Sequence, residues 1–188
     1  MGKLFLVLVL AIFLGLISEP HLTFVKGDAA LIKDVCYKTS IPFYCKKCYQ
    51  VFRRSSHEDV KALGRTAIDC SQTELAIFQS TFGSFYKTIN DVDGFKRASG
   101  ICLSNLVTVG NHMKSALQSW QGGRYADSAN EMLTAHKFTH QHCGYNFLTA
   151  KLTLSLAKQL DTLMGFAEVS YGVLKQIPNQ GTARPISN

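Results

Sequence analysis

Six cysteines stand behind an apolar leader, and their spacing limits the fold more than any other feature of this chain. Cys36 and Cys45 enclose eight residues, Cys102 and Cys143 enclose forty, and Cys48 and Cys70 lie between the two sets. Exported chains mature where thiols are oxidised, so an even number of cysteines after an export signal reads as a disulfide framework. The same residues in a cytosolic protein would point to metal or redox chemistry. The leader itself is Lys3 followed by the apolar run Leu4 to Ile17, which has the form of a signal peptide and is shorter than the roughly 20 residues a bilayer span needs. Cleavage after Gly27 is expected. Residues 1–27 are then the signal peptide, 28–177 one domain, and 178–188 a flexible polar tail containing Pro178 and Pro185.

About 160 residues remain, enough for a single substantial core and too few for a second module. The full chain has 20 Lys and Arg against 13 Asp and Glu, and without Lys3, Glu19 and Lys26 the balance is 18 against 12, still basic. A basic exported protein meets polyanions readily, whether acidic polysaccharide, anionic membrane or an acidic protein cleft. The basic residues are scattered, and no stripe interleaved with aromatics suggests nucleic acid.

Apolar residues recur at steps of three and four over long stretches, and sustained alternation with hairpin turns is missing, which predicts an all-α chain. Phe95, Ala98, Cys102, Leu106, Val109, Met113, Ala116 and Trp120 lie on one helical face that ends at Gln121-Gly122-Gly123. Leu75, Phe78, Phe82, Phe85 and Ile89 form an earlier stripe, whose helix is expected to start near Ser55, with Ser55 and Glu58 at capping-box spacing. Asn90 to Gly94 reads as the turn between these two helices. A third helix starts around Tyr125 and includes Ala129 and Met132, and a fourth carries Leu152, Leu156, Leu160, Leu163, Ala167, Ser170 and Leu174 and stops before Pro178. Short connections make such helices antiparallel neighbours, giving an up-down-up-down four-helix bundle. From Ala30 to Arg54 the helical runs are short and interrupted by Pro42, so this segment is expected to form a small N-terminal hairpin. A Cys36 to Cys45 bond would tie that hairpin shut. A Cys102 to Cys143 bond would staple the second bundle helix to the end of the third.

With this layout the chain resembles the plant invertase and pectin methylesterase inhibitor family over nearly all of its mature length. The resemblance is carried by the opening LIKDVCYKTSIPFYC, by DVKALGRTAID at the head of the first bundle helix, by Cys102 within SGICLSNL, and by GRYADSANEMLTAH leading to Cys143. It implies an exported, disulfide-stapled bundle with an N-terminal helical hairpin, paired Cys36 to Cys45 and Cys102 to Cys143. Cys48 and Cys70 are additions to that framework, open to pairing as a third bridge or to remaining free thiols. His136 stands where the family usually has a small residue. The Pro-Lys-Phe element of invertase-directed members is represented here by Gly123-Arg124-Tyr125, without the proline.

The function the resemblance implies is that of a monomeric, reversible inhibitor in the cell wall or apoplast rather than the vacuole. It would block the active-site cleft of pectin methylesterase or, as the alternative, of acid invertase, one to one and without covalent chemistry. Arg124 would project toward carboxylates of the target while Tyr125 seats the helix start, residue types common at interface hot spots.

The remaining candidates have plainer readings. His136 and His140 have the spacing of two helical metal ligands, with His142 and Cys143 nearby, but the metalloprotease Glu is missing and Cys143 has a use in a bridge, so no metal is expected. Asp59, Asp69 and Glu74 read as solvated charges on a helix face. No nucleophile elbow or phosphate-binding loop occurs, so neither an enzyme nor a cofactor is expected. A lipid-binding or membrane-active helical protein is the competitor from another class, since a basic stapled bundle could open its stripes around an acyl chain. No Asn-x-Ser/Thr sequon occurs.

Overall fold

The computed structural model describes residues 24–52, 59–90, 94–144 and 152–178. Most of the expected leader, the Ser55 and Glu58 pair and the tail beyond Pro178 lie outside them. Among the described residues the secondary structure is helical throughout. α1 (Phe24–Tyr37) and α2 (Pro42–Val51) form the N-terminal hairpin, and α3 (Val60–Thr88), α4 (Phe95–Gln121), α5 (Tyr125–Thr139) and α6 (Leu154–Leu174) form the bundle. α5 runs on into a π-helical turn at His140–Gly144. No described helix is long and apolar enough to cross a membrane.

The bundle helices pack in a closed ring, α3 on α4, α4 on α5, α5 on α6 and α6 on α3. Antiparallel register is visible at each contact: the Gln72 side-chain amide donates to Met113 O at 3.2 Å across α3 and α4, while Tyr86, further along α3, packs on Gly100, earlier in α4. Ser71 and Ser170 hydroxyls bond at 2.9 Å between α3 and α6, and Ser128 Oγ donates to Ala116 O at 2.8 Å between α5 and α4. The stripes read from the sequence meet in one core of Leu75, Phe78, Phe82, Leu106, Val109, Met113, Met132, Leu160 and Leu163. Phe78 and Phe82 stack face to face with centroids 5.2 Å apart. Burial of this apolar surface is the main driving force for the ring.

Helix ends depart from the sequence reading in informative ways. α3 begins at Val60, not near Ser55, because the Asp59 carboxylate accepts the Ala62 N–H at 2.8 Å and closes the first turn. Asp59 is therefore a cap rather than a solvated face charge. Pro42 opens α2 instead of breaking it, since a first-turn residue has no intrahelical N–H bond to lose. Leu152 precedes α6, which starts at Leu154 after Thr153 Oγ1 accepts the Leu156 N–H at 3.4 Å. Of the two glycines after α4 only Gly123, at φ 72°, takes the left-handed conformation. The turn before α4 closes on a second left-handed glycine, Gly94, at φ 74°.

The hairpin docks on α3 and α6 through a second core containing Val35, Tyr49, Leu63, Ala67, Phe166, Val169 and Val173. Three disulfides run through the fold: Cys36–Cys45 within the hairpin, Cys48–Cys70 between α2 and α3, and Cys102–Cys143 between α4 and the π-turn. The Tyr44 ring lies so close to Gly165 that a Cβ there would sit 2.6 Å from it. Its hydroxyl donates to Asp161, and desolvation by burial together with that hydrogen bond pushes the Tyr44 pKa up to about 12. Ser40 Oγ, in the turn before α2, donates to Glu168 at 2.6 Å, and Lys47 Nζ donates to Thr162 Oγ1 at 3.0 Å, so the turn and α2 are both joined to α6 by polar contacts.

Cys48–Cys70 joins hairpin to bundle across a sequence separation of 22. On the loop-entropy model its removal costs about 3 kcal/mol. The Cys48→Ser/Cys70→Ser double variant is expected to lose about that much in denaturant unfolding while keeping its helical circular dichroism. An unchanged midpoint would show that the second core alone holds the hairpin.

Candidate functional site

One end of the bundle gathers the start of α3, the end of α4, the start of α5 and the end of α6. Here the chain leaves α4 through Gly122 and Gly123, and the Arg124 N–H donates to Ser119 O at 2.9 Å. Arg124 O in turn accepts the Ser128 N–H at 3.0 Å, so the backbone on both sides of Arg124 is fixed. Its side chain is 59% exposed, with the guanidinium lying against Gly122, and its ion pair with Asp127 at 3.3 Å is a solvent-facing one of little energetic weight. Tyr125 does the opposite, burying its ring in the main core at the first residue of α5.

Two further cations join Arg124 at this end. Lys61 Nζ lies 5.8 Å from the centroid of the Tyr125 ring, and the Arg65 guanidinium 5.8 Å from that of Trp120. The Trp120 indole N–H donates to Lys61 O at 3.2 Å, which ties the end of α4 to the first turn of α3. Arg65 also pairs with Asp69 at 3.1 Å, so Asp69 is a partly buried ion-pair partner and not a freely solvated charge. Trp120 reads from the sequence as the last residue of a core stripe, and no local pattern singles out Lys61 or Arg65. They stand four residues apart on α3 and reach different helices, Lys61 the Tyr125 ring of α5 and Arg65 the Trp120 ring of α4. The result is a cluster of Lys61, Arg65 and Arg124 on a rigid aromatic support, suited to meeting an acidic surface.

The histidines do not converge. His136 is half-buried, and its Nδ1 lies 3.1 Å from Met164 O on α6, which requires the Nδ1–H tautomer because a carbonyl only accepts. The position therefore tolerates a larger residue by bonding it across the α5–α6 contact. His142 packs against Phe138, and Cys143 is in a disulfide. No group of three or more metal-ligating side chains comes together among the described residues.

No family model matches this chain, and no curated protein matches it. Solved structures do. A mutant form of a pectin methylesterase inhibitor from Arabidopsis superposes with a TM-score of 0.69 at 16% identity, covering 79% of this chain and 97% of the other. A pectin methylesterase inhibitor from Arabidopsis thaliana superposes with a TM-score of 0.58, also at 16% identity, covering 80% of this chain and 98% of the other. The fold is that of the pectin methylesterase inhibitors. At this identity the likeness lies in the fold, and the roles of individual side chains have to be argued from this chain's own geometry.

Glu74, on the α3 face toward the hairpin, is half-buried rather than solvated. Burial raises its pKa above the ordinary carboxylate value, and the Lys47 charge opposes the shift. A carboxyl whose pKa rises on folding binds more protons in the native state than in the unfolded chain, so stability falls as pH climbs from the unfolded value through the raised one. Glu74→Gln should therefore raise the melting temperature more at pH 7 than at pH 4. Equal shifts at both pH values, read by circular dichroism melts, would contradict the burial effect.

Proposed function

We propose that this chain is a secreted protein inhibitor of a plant cell-wall carbohydrate-active enzyme, with pectin methylesterase as the favoured target. It acts without catalysis of its own, by seating a preformed surface in the target's active-site cleft, reversibly and one to one. The observation that carries this reading is the shared fold with two inhibitors, of which the superposition covers 97% and 98%. The three disulfides suit an oxidising, extracellular setting. A rigid stapled bundle also suits the task, because little conformational entropy is lost when a preorganised face docks.

The cluster of Lys61, Arg65 and Arg124 is our choice for the part that meets the target. Its cations are held by a fixed backbone and by ring contacts, and a cleft that works with carboxylates would present the complementary charge. Tyr125 anchors this corner from inside. The lipid-binding alternative is disfavoured because the apolar stripes are consumed in packing against one another. Acid invertase stays as the second target, separated by assay rather than by fold.

Purified mature protein should abolish the activity of at least one pectin methylesterase at equimolar dose near pH 5 and leave acid invertases active. Arg124→Ala should weaken inhibition by about thirtyfold, the loss of one hot-spot arginine, without lowering the melting temperature. Inhibition of invertase alone would move the target assignment. Failure against both enzyme classes would overturn the reading.

A further inference from the structure

The hairpin tip carries a feature that neither the bundle core nor the Arg124 corner uses. Tyr37, at the end of α1, is 83% exposed, and Phe43, at the start of α2, is 73% exposed. They are the two most exposed large hydrophobic side chains among the described residues, and both are aromatic. Each has an exposed lysine about one helical turn away on its own arm: Lys33 four residues before Tyr37, and Lys46 three residues after Phe43. Between Leu31 and Val51 there are four lysines and a single acid, Asp34, and that acid is engaged by Lys38 at 2.7 Å. Two further carboxylates reach the hairpin from α6, Glu168 at Ser40 and Asp161 at Tyr44, so what the tip presents is two aromatic faces, one on each arm, each with an exposed lysine of its own nearby.

The mounting is stiff. The Cys36–Cys45 disulfide joins the arms immediately beside Tyr37 and next to Tyr44, and the Phe43 ring meets the Tyr44 ring edge-on at 5.3 Å. Thr39 Oγ1 donates to Cys36 O at 2.8 Å within the turn, and the Gln176 side-chain amide donates to Val35 O at 3.1 Å from beyond α6. Tyr44 itself is seated on Gly165. The exposed rings are thus held on a braced platform, and little order has to be gained on binding.

We infer that this tip binds acidic polysaccharide, a polymer of uronic acid residues whose apolar ring faces stack on Tyr37 and Phe43 while its carboxylates pair with Lys33 and Lys46. Charge selects a polyanion, and flat exposed rings flanked by cations suit a chain in which each sugar offers both a C–H face and a carboxylate. An anionic membrane fits less well. Lys33, Asp34, Lys38, Ser40 and Lys46, all exposed, lie within four residues of Tyr37 or Phe43, so insertion would drag the Asp34–Lys38 ion pair out of water. The site shares no residue with the corner assigned to enzyme inhibition. It rests on that reading only for the choice of probe, since polygalacturonate is the de-esterified polymer such an enzyme would leave behind.

The test is affinity of the mature, disulfide-bonded protein for calcium-free polygalacturonate, with neutral dextran and phosphatidylserine vesicles as comparison surfaces. The wild type should be retained on polygalacturonate at low salt, released as salt rises, and pass through dextran. Tyr37→Ala/Phe43→Ala and Lys33→Gln/Lys46→Gln should each weaken binding by about tenfold, a change of about 1.4 kcal/mol. Removing the same charge elsewhere, in Lys96→Gln/Arg97→Gln, should change it by less than about twofold. Absence of retention overturns the proposal, and so does an equal effect of the Lys96/Arg97 pair, which would reduce the interaction to net charge. Tighter binding to vesicles than to polymer overturns it in favour of a membrane. Inhibition of pectin methylesterase is measured apart from the polymer, so the hairpin variants can lose polymer binding and still inhibit.

Discussion

Everything in this molecule is arranged around a ring of four amphipathic helices whose apolar stripes have no water-free partner except one another. Phe78, Phe82, Leu106, Met113, Met132 and Leu163 come from all four helices and are fully buried together, so no single helix satisfies its stripe alone. That mutual dependence sets the antiparallel order and makes the end of the bundle a place where α3, α4, α5 and α6 must meet. The Arg124 corner is a by-product of the constraint. Its aromatic support, Trp120 and Tyr125, belongs to the last layer of packing, and its cations project from that layer into solvent.

Hydrophobic packing does not extend automatically to the hairpin. α1 and α2 are short, and helices of ten or so residues are marginal in water without tertiary support. Three kinds of support converge on them. A second core buries Val35, Tyr49 and Phe166, Cys48–Cys70 ties α2 to α3, and Ser40, Tyr44 and Lys47 are bonded to side chains of α6. Tyr49 shows how thorough the burial is: its hydroxyl donates to Leu63 O at 3.0 Å, and desolvation pushes its pKa above the usual tyrosine value. The consequence is a hairpin stiff enough to carry exposed rings at its tip.

Rigidity therefore serves two surfaces at opposite demands. The bundle end offers cations over aromatics, the surface we propose for an acidic protein cleft. The hairpin tip offers aromatics among cations, a surface for sugar rings bearing carboxylates. Both rely on side chains whose conformational freedom is already reduced before any partner arrives, and this is how a basic protein can be selective among polyanions rather than merely adhesive.

Periodicity and cysteine spacing in the linear chain were enough to set the all-helical class, the four stripes, the hairpin and the boundaries Tyr125 and Gln121, because burying one face of a helix imposes a repeat that the residues display locally. Resemblance of short motifs added the inhibitor fold. The start of the first bundle helix was less legible, since Ser55 and Asp59 are both residue types that cap helices and only the folded chain selects Asp59. Tertiary structure alone decided the partners. It brought Cys48 to Cys70, placed His136 against Met164 O rather than in a metal site, took Glu74 out of full solvation, and set Lys61 and Arg65 over rings of other helices. The physical reason is that these contacts join residues far apart in the chain. Their geometry depends on how two packed helices are rotated and staggered, a quantity that no local pattern of residues encodes.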